Sequence, residues 1–371
     1  MARRGGWFGR TAAVAGRRPS AFILGAAVIG AGAWAVASGR VRGAGELGGS
    51  RASSSSSSAS ARASVESVSG DACASGSSSG GSGAPLVFRA SASMIPHPSK
   101  ADRGGEDAWF VSDGGLFFGV ADGVGGWSEV GVDPGLYSRE LMRLAREEAR
   151  GQAPGPGAPG AVLSRAHART RARGSCTACI LSLDGSTLHA ANLGDSGFFV
   201  LRDGALAFLS PQQQHEFNFP YQIGSPDSLS DSPADAQTFS LALRDGDVVV
   251  AATDGAFDNV YPDEAAKVVV EALRNAAPAA PPPAGAAPPM AADAAAVGAA
   301  SAALARRAHE RAADPSFLSP FAYGAQQLGY RFFGGKMDDV TVVVAVVRPK
   351  AAEEVQGAST PEPASPPAAK L

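Results

Sequence analysis

LFFGVADGVGGW, Leu116 to Trp127, is an apolar run that stops abruptly at Asp122-Gly123, passes three more small residues and closes on an aromatic. Such a run feeding a single carboxylate predicts a buried strand that delivers an acid to the rim of a core. Asp-Gly is also a strong hairpin signal, and six such pairs begin at Asp113, Asp122, Asp184, Asp203, Asp245 and Asp254. Four are flanked as turns: those at Asp184 and Asp203 separate short apolar runs, and those at Asp113 and Asp245 lie in polar or Gly-rich surroundings. Asp122 and Asp254 differ. FFGVA precedes one and VVVAAT the other, so each carboxylate emerges where a strand has already fixed the backbone on one side. On that spacing two readings stand side by side, a metal site sharing both carboxylates or two well-packed turns.

Working outward, AWFVSD and LFFGVAD form a hairpin about a Gly pair, with Glu106-Asp107 just before it. Upstream, LVFRASASM is strand-like from Ala84 onward. Downstream, Ser138 to Arg150 and Ala161 to Arg173 carry helical spacing across the linker GQAPGPGAPG. The stretch CTACILSLDGSTLHAANLGDSGFFVLRDGALAFLS predicts four successive strands in a meander, with Asp195 at a corner. PQQQHEFNFPYQIGSPDS mixes aromatics, polar residues and prolines and predicts an ordered loop, where a lone histidine such as His215 is more often structural than catalytic. TFSLAL and DVVVAATD are strands, Tyr261 to Asn275 and Ala291 to Ala312 helices, and DVTVVVAVV from Asp339 the last strand. Strand runs with helices inserted between them give an α+β class with mainly antiparallel sheets.

The ends have a different composition. Residues 1–62 hold nine arginines, no lysine and one acid, Glu46, and run into a Ser tract, as an organelle transit peptide does. Within them 21–37 is uncharged and barely of membrane length, a weak candidate for an inner-membrane anchor. A secretory signal is the main rival, but Arg40, Arg42 and Arg51 continue beyond the apolar part; import is favoured, to a mitochondrion with a chloroplast as the alternative. Residues 63–84 are a Ser/Gly linker, 85–349 the globular domain with a flexible Ala/Pro insertion at 276–290, and 350–371 a disordered tail. Of 371 residues 45% are hydrophobic and 18% charged, enough for a real core. The chain is −3 overall and its first 62 residues are +8, so the remainder carries −11, which argues against nucleic acid and suits a site that gathers cations. Three cysteines are too few for a disulfide framework, and Cys176-x-x-Cys179 lies in a strand-like run without a helix N-terminus to activate a thiol.

Glu106, Asp107, Asp122 with the Gly123 carbonyl, Asp254, Asp258 and Asp338 all fall at strand ends or in the turns beside them. Hard oxygen ligands without His or Cys select magnesium or manganese over zinc. From about Pro96 to Val347 the chain carries GGEDAWF, GVADGVGGW followed by VDP and SRELM, GSCTACILSLDG, ANLGDSG, QQQHEFNFPYQ, DSPADA, ATDGAFDNVY and GGKMDDVTVVV. In this order they resemble the metal-dependent (type 2C) serine/threonine protein phosphatases, specifically their organelle-associated branch.

The resemblance implies a β-sandwich of two sheets flanked by helices, with two Mn2+ or Mg2+ ions at one end. It implies that Asp122 bridges both ions, that the Gly123 carbonyl, Asp254 and Asp338 complete their shells, and that Glu106, beside Asp107, acts through bound water. Asp195 and Asp258 match positions of a weaker third ion. A hydroxide bridging the ions would attack phosphoserine or phosphothreonine of a protein substrate without a covalent enzyme intermediate, and the protein would act as a monomer. Where the wider family often has His after Asp-Gly, this chain has Val124; where an Arg commonly lies four residues before Glu106, it has Asp102. Phosphate binding then falls to Arg103 or Lys100. The competing expectation is a catalytically weak phosphatase-like binding or regulatory protein.

Overall fold

The valine run of the last strand shows how the layers are built. In Val340–Pro349, Val340, Val342, Val344 and Val346 face one apolar cluster, while Val343, Ala345 and Val347 face another. A strand buried on both faces reads as a continuous apolar run with no polar alternation, and this one lies in the interior of its sheet. The structure, a computed structural model, describes residues 84–276 and 291–350, all within the unit Ser77–Leu371.

Two five-stranded sheets carry the fold. The first has the order β1 (Leu86–Ile95), β10 (Val340–Pro349), β9 (Val248–Ala252), β6 (Gly197–Arg202), β7 (Ala205–Leu209). The second has the order β8 (Gln237–Ala242), β5 (Thr187–Leu193), β4 (Ala178–Asp184), β3 (Phe117–Asp122), β2 (Asp107–Val111). Every pairing within them is antiparallel. Phe118, Val120, Cys179 and Leu181 of the second sheet meet Phe198, Val249 and Val343 of the first between the sheets. Outside the second sheet lie α1 (Pro134–Arg150) and α2 (Ala158–Arg169). Outside the first lie α3 (Asp254–Phe257), α4 (Pro262–Asn275) and α5 (Ala294–Ala312). The layers are therefore helix, sheet, sheet, helix, as expected. A further helix, α6 (Pro320–Gln327), is capped by the Ser319 hydroxyl on the Ala322 N–H and had no counterpart in the sequence reading.

One expectation is corrected. The predicted meander is two hairpins in different sheets: β4–β5 belongs to the second and β6–β7 to the first. The chain crosses between sheets at Gly194-Asp195-Ser196, because both hairpins present an apolar face to the shared core and can stack but need not lie side by side. The crossing carries Asp195 to the same end as the other acids.

Cys176, in the short strand Ser175–Cys176 that pairs with Ile223–Gly224, is buried under the helices, whereas Cys179 in β4 is buried between the sheets; both are free thiols, and burial pushes both up. Among the described residues no helix is long and apolar enough to cross a membrane. The import segment 1–62 with its apolar stretch 21–37, Cys73, and nearly all of the linker 63–84, the insertion 276–290 and the tail 350–371 lie outside the described residues.

Candidate active site

Strand register and close backbone approach build one end of the sandwich. Asp107, the first residue of β2, is the register partner of Asp122, the last of β3. In the other sheet Thr253 N–H donates to the Thr341 carbonyl at 3.1 Å, extending the β9–β10 ladder by one pair to the residue before Asp254. The sheets are tied across the gap by Thr253 Oγ1, which donates to Asp107 Oδ2 at 2.8 Å. Asp254 opens α3, where Gly255 has no room for a side chain: a Cβ there would lie 1.9 Å from the Asp339 carbonyl oxygen. Gly123 is held as closely, its absent Cβ facing the Glu106 and Pro134 carbonyls at 2.8 and 2.9 Å. The other four Asp-Gly pairs are turns, as their flanks predict, and there glycine serves a positive φ at Gly185, Gly204 and Gly246.

The acids are distributed around two ammonium groups. Lys100 Nζ lies 2.6 Å from Glu106 Oε2, 3.2 Å from Asp339 Oδ2 and 3.3 Å from Asp338 Oδ1. Lys336 Nζ lies 2.6 Å from Asp254 Oδ2, 2.7 Å from Asp258 Oδ2 and 3.6 Å from Asp338 Oδ2. For each lysine burial works against the charge, but the surrounding carboxylates outweigh it and raise the ammonium pKa. Arg103 reaches Glu106 Oε1 at 2.5 Å from a half-exposed position, and its Nε is 3.8 Å from Asp133. Asp339, buried, accepts from the His97 N–H at 2.7 Å and the Glu106 N–H at 2.9 Å, and so clamps the segment before β2 to the segment before β10.

The buried acids of this end do not all respond alike. Burial, and then the charge of Asp254, push Asp122 well above the usual carboxylate range. Asp107 is pushed up by burial and then by Asp339, and Asp338 by burial and Asp254. Asp195 is pushed up to about 8 by burial, then by Asp254 and Asp258, with Gln214 donating to its Oδ2 at 3.1 Å. Asp258 is pushed up to about 6 by burial and the charge of Asp254, against the pull of Lys336. Asp254 alone of this group is lowered: burial opposes ionisation, and Lys336 overcomes it.

Asp107 Oδ1, Asp195 Oδ1 and Asp254 Oδ1 are buried without any hydrogen-bond donor. Unpartnered buried carboxylate oxygens are costly, and an all-oxygen set of this kind fits a hard divalent cation. Among the described residues no three acidic, His or Cys side chains already converge as a finished ion cage; the carboxylates converge instead on the two ammonium groups.

The structure thus brings together at one end Glu106, Asp107, Asp122, Gly123, Asp195, Asp254, Asp258 and Asp338, with Lys100 and Arg103 beside Glu106. Asp102 is exposed on the turn Pro98–Arg103. Val124 sits next to Gly123, capping the turn Gly125–Val130. His215 is engaged elsewhere, paired with Asp231 at 2.9 Å and stacked on Tyr221 with centroids 3.8 Å apart. Sequence reasoning missed Lys336, Asp339 and Asn259. Their signal was present in GGKMDD and FDN, a single basic residue and an amide embedded among acids.

The family model described as Stage II sporulation protein E (SpoIIE) matches residues 112–310. Probable protein phosphatase 2C 80 of Arabidopsis thaliana is 46% identical over 254 residues, covering 68% of this chain and 57% of that protein. The Homo sapiens protein phosphatase PTC7 homolog is 38% identical over 258 residues, 66% of this chain and 79% of that protein. The X-ray structure of the photosystem II phosphatase PBCP shares 34% identity with a TM-score of 0.59, covering 71% of this chain and all of that one. The chain spans little more than half the length of the first Arabidopsis thaliana relatives it matches, 57% and 52%.

Proposed function

The chain belongs to the protein phosphatase 2C family, and we propose on that footing that it hydrolyses phosphoserine and phosphothreonine in protein substrates, using divalent manganese or magnesium. The observation that carries this reading is the group of donorless, buried carboxylate oxygens gathered from both sheets. Asp122, the Gly123 carbonyl, Asp254 and Asp338 would hold a pair of ions, and Glu106 and Asp107 would act on them through water. Ions bound there would supply Lewis-acid stabilisation of phosphoryl charge and a water acidic enough to attack at neutral pH.

The chain's own groups do the rest. The hydrogen bonds of Asp339 to His97 and Glu106 fix the acidic segments against each other before substrate arrives, so little reorganisation is left for the reaction. Arg103, half-exposed beside Glu106, is the guanidinium placed to meet an incoming phosphate, whereas Lys100 is committed to three carboxylates. Val124 offers no proton to a departing alkoxide.

Turnover of a phosphothreonine peptide by the purified protein in manganese, abolished by chelator, is the expected result. Binding of the peptide without turnover in manganese would move the reading to a regulatory phosphatase-like protein. Residues 1–62 complete the proposal as an import segment, with the mitochondrion as destination and membrane association through 21–37 as its accessory. Recovery of intact residues 1–40 from a soluble cytosolic pool would remove that part.

A further inference from the structure

The division of Asp254 between its two oxygens separates an ion site from a lysine site. Oδ1 has no donor, while Oδ2 receives the Lys336 ammonium at 2.6 Å. The same ammonium lies 2.7 Å from Asp258 Oδ2, so it bridges two carboxylates with hydrogen-bond geometry to both. Asp258 is one of the two residues that the family resemblance assigns to a weaker third ion.

Lys336 is not a flexible surface lysine that happens to fold inward. Its side chain is 17% exposed, and its Nζ stands 5.1 Å from the centroid of the Phe321 ring, a cation–π contact. Its backbone is gripped on both sides by one fully buried amide. Asn259 Oδ1 accepts from the Lys336 N–H at 2.8 Å, and Asn259 Nδ2 donates to the Lys336 carbonyl at 2.7 Å and to the Gly255 carbonyl at 2.9 Å. The preceding Gly335 packs so closely that a Cβ there would lie 2.1 Å from the Arg311 carbonyl oxygen. Asp254, Asp258 and Asn259 come from α3 and the residues just after it, so the segment that presents the two acids also fixes the lysine that neutralises them.

We propose that Lys336 is a built-in cation of this site: its ammonium occupies the Asp254–Asp258 pair and takes the place there of a third divalent ion. The proposal rests on the reading of Asp122, Asp254 and Asp338 as ligands of two divalent ions. A divalent ion at the Asp258 position would have to displace a tethered ammonium that is already in direct contact with both carboxylates, and two cations sharing that space repel one another. The arrangement leaves Asp254 Oδ1 for the ions held with Asp122. Asp195, whose Oδ1 has no donor, stays beside the pair and completes a three-carboxylate group once the ammonium is removed.

Manganese binding by the full chain, counted by calorimetry and by native mass spectrometry, tests this without reference to activity. Wild type should bind two ions, and Asp258→Asn should bind the same two, because the residue it alters serves the lysine. Lys336→Met, which keeps an unbranched side chain and removes the charge, should bind three; the double variant Lys336→Met/Asp258→Asn should return to two. Lys336→Arg should match wild type. Loss of an ion in Asp258→Asn, or an unchanged count in Lys336→Met, overturns the proposal. If Lys336→Met does not fold, the Asp258→Asn arm decides alone. Wild type that binds no manganese defeats the underlying reading of the site, a result distinct from both.

Discussion

Asp122 and Asp254 leave the two sheets at equivalent points, each the acid of an Asp-Gly pair at the end of an interior strand, yet they stand in opposite electrostatic conditions. Asp254 has a lysine 2.6 Å away and is held below the usual carboxylate range despite its burial. No basic group is hydrogen-bonded or ion-paired to Asp122 among the described residues, and burial together with Asp254 pushes it well above that range. The chain supplies a cation to Asp254 and none to Asp122 among the described residues. A buried charge without a partner is stabilised by whatever binds it, so ion affinity should be concentrated on the Asp122 side.

The largest effects should come from removing each charge in turn. Asp122→Asn and Asp254→Asn should each lower phosphatase activity in manganese by on the order of 10²-fold or more, since several kcal/mol of charge stabilisation is lost. Their metal-free stabilities should diverge. Asp122→Asn removes an unpartnered charge and should raise the melting temperature in chelator, while Asp254→Asn strips Lys336 of a partner and should not. Activity above a tenth of wild type in either variant defeats the ligand assignment; equal melting shifts defeat the contrast.

Much of this was legible in the sequence, for a local reason. An apolar run ending in a carboxylate reports both a strand and where it stops, so Asp122 and Asp254 could be separated from the four Asp-Gly pairs in turns by their flanks alone. The antiparallel class followed from the strand runs, and the two-sheet sandwich from the resemblance. The partition of β4–β5 and β6–β7 between sheets was not legible, because alternation within each hairpin is the same whether the next hairpin lies beside it or behind it. Lys336 was missed for a related reason. Its contacts with Asp254 and Asp258 span 82 and 78 residues of sequence, and nothing in GGKMDD says which acids its ammonium will meet.

The glycines that follow these acids offer the next test. Gly255→Ala would place a methyl against the Asp339 carbonyl, a backbone atom that cannot rotate away, and should destabilise by about 3 kcal/mol or more. Gly204→Ala, at a hairpin tip with φ of +80° and the Arg274 guanidinium 3.0 Å from the added atom, should cost only about 1 kcal/mol. Chemical denaturation of the two variants in chelator measures both; equal losses would show that Gly255 is an ordinary turn residue.

The carboxylates that burial pushes up also set a pH dependence. Asp195 and Asp258 keep protons in the folded state up to about pH 8 and about pH 6, whereas the unfolded chain releases them near the ordinary 3.8. Between those limits the folded state binds more protons, so stability is greatest below the unfolded value and falls as pH rises through 6 and then 8. Asp254, being lowered, acts in the opposite sense only below its ordinary value. The melting temperature in chelator should therefore decline from about pH 5 to about pH 9, and saturating manganese should flatten the curve. A rise over that interval would mean that the acid cluster is neutralised without added ions.

The smallest expected effect concerns Val124, two residues beyond Asp122 and on the side that lacks a cation of its own. Its N–H donates to the Ser175 carbonyl at 3.0 Å and it caps the following turn through its backbone, so the side chain can be exchanged without breaking either arrangement. Valine cannot protonate a departing alkoxide, and a serine or threonine oxygen, with its high pKa, suffers from that lack more than an aryl oxide does. General acid catalysis is worth about 10²- to 10⁴-fold where the acid is fully positioned. A histidine grafted without supporting hydrogen bonds should recover only part of this. Val124→His should accordingly narrow the gap between aryl phosphate and phosphothreonine turnover by about threefold to tenfold. His215→Ala should leave the ratio alone, because that ring is held by Asp231 and Tyr221. A ratio unchanged by Val124→His would show that the proton does not come from a side chain at this position, and a selective loss in His215→Ala would return the role to the loop.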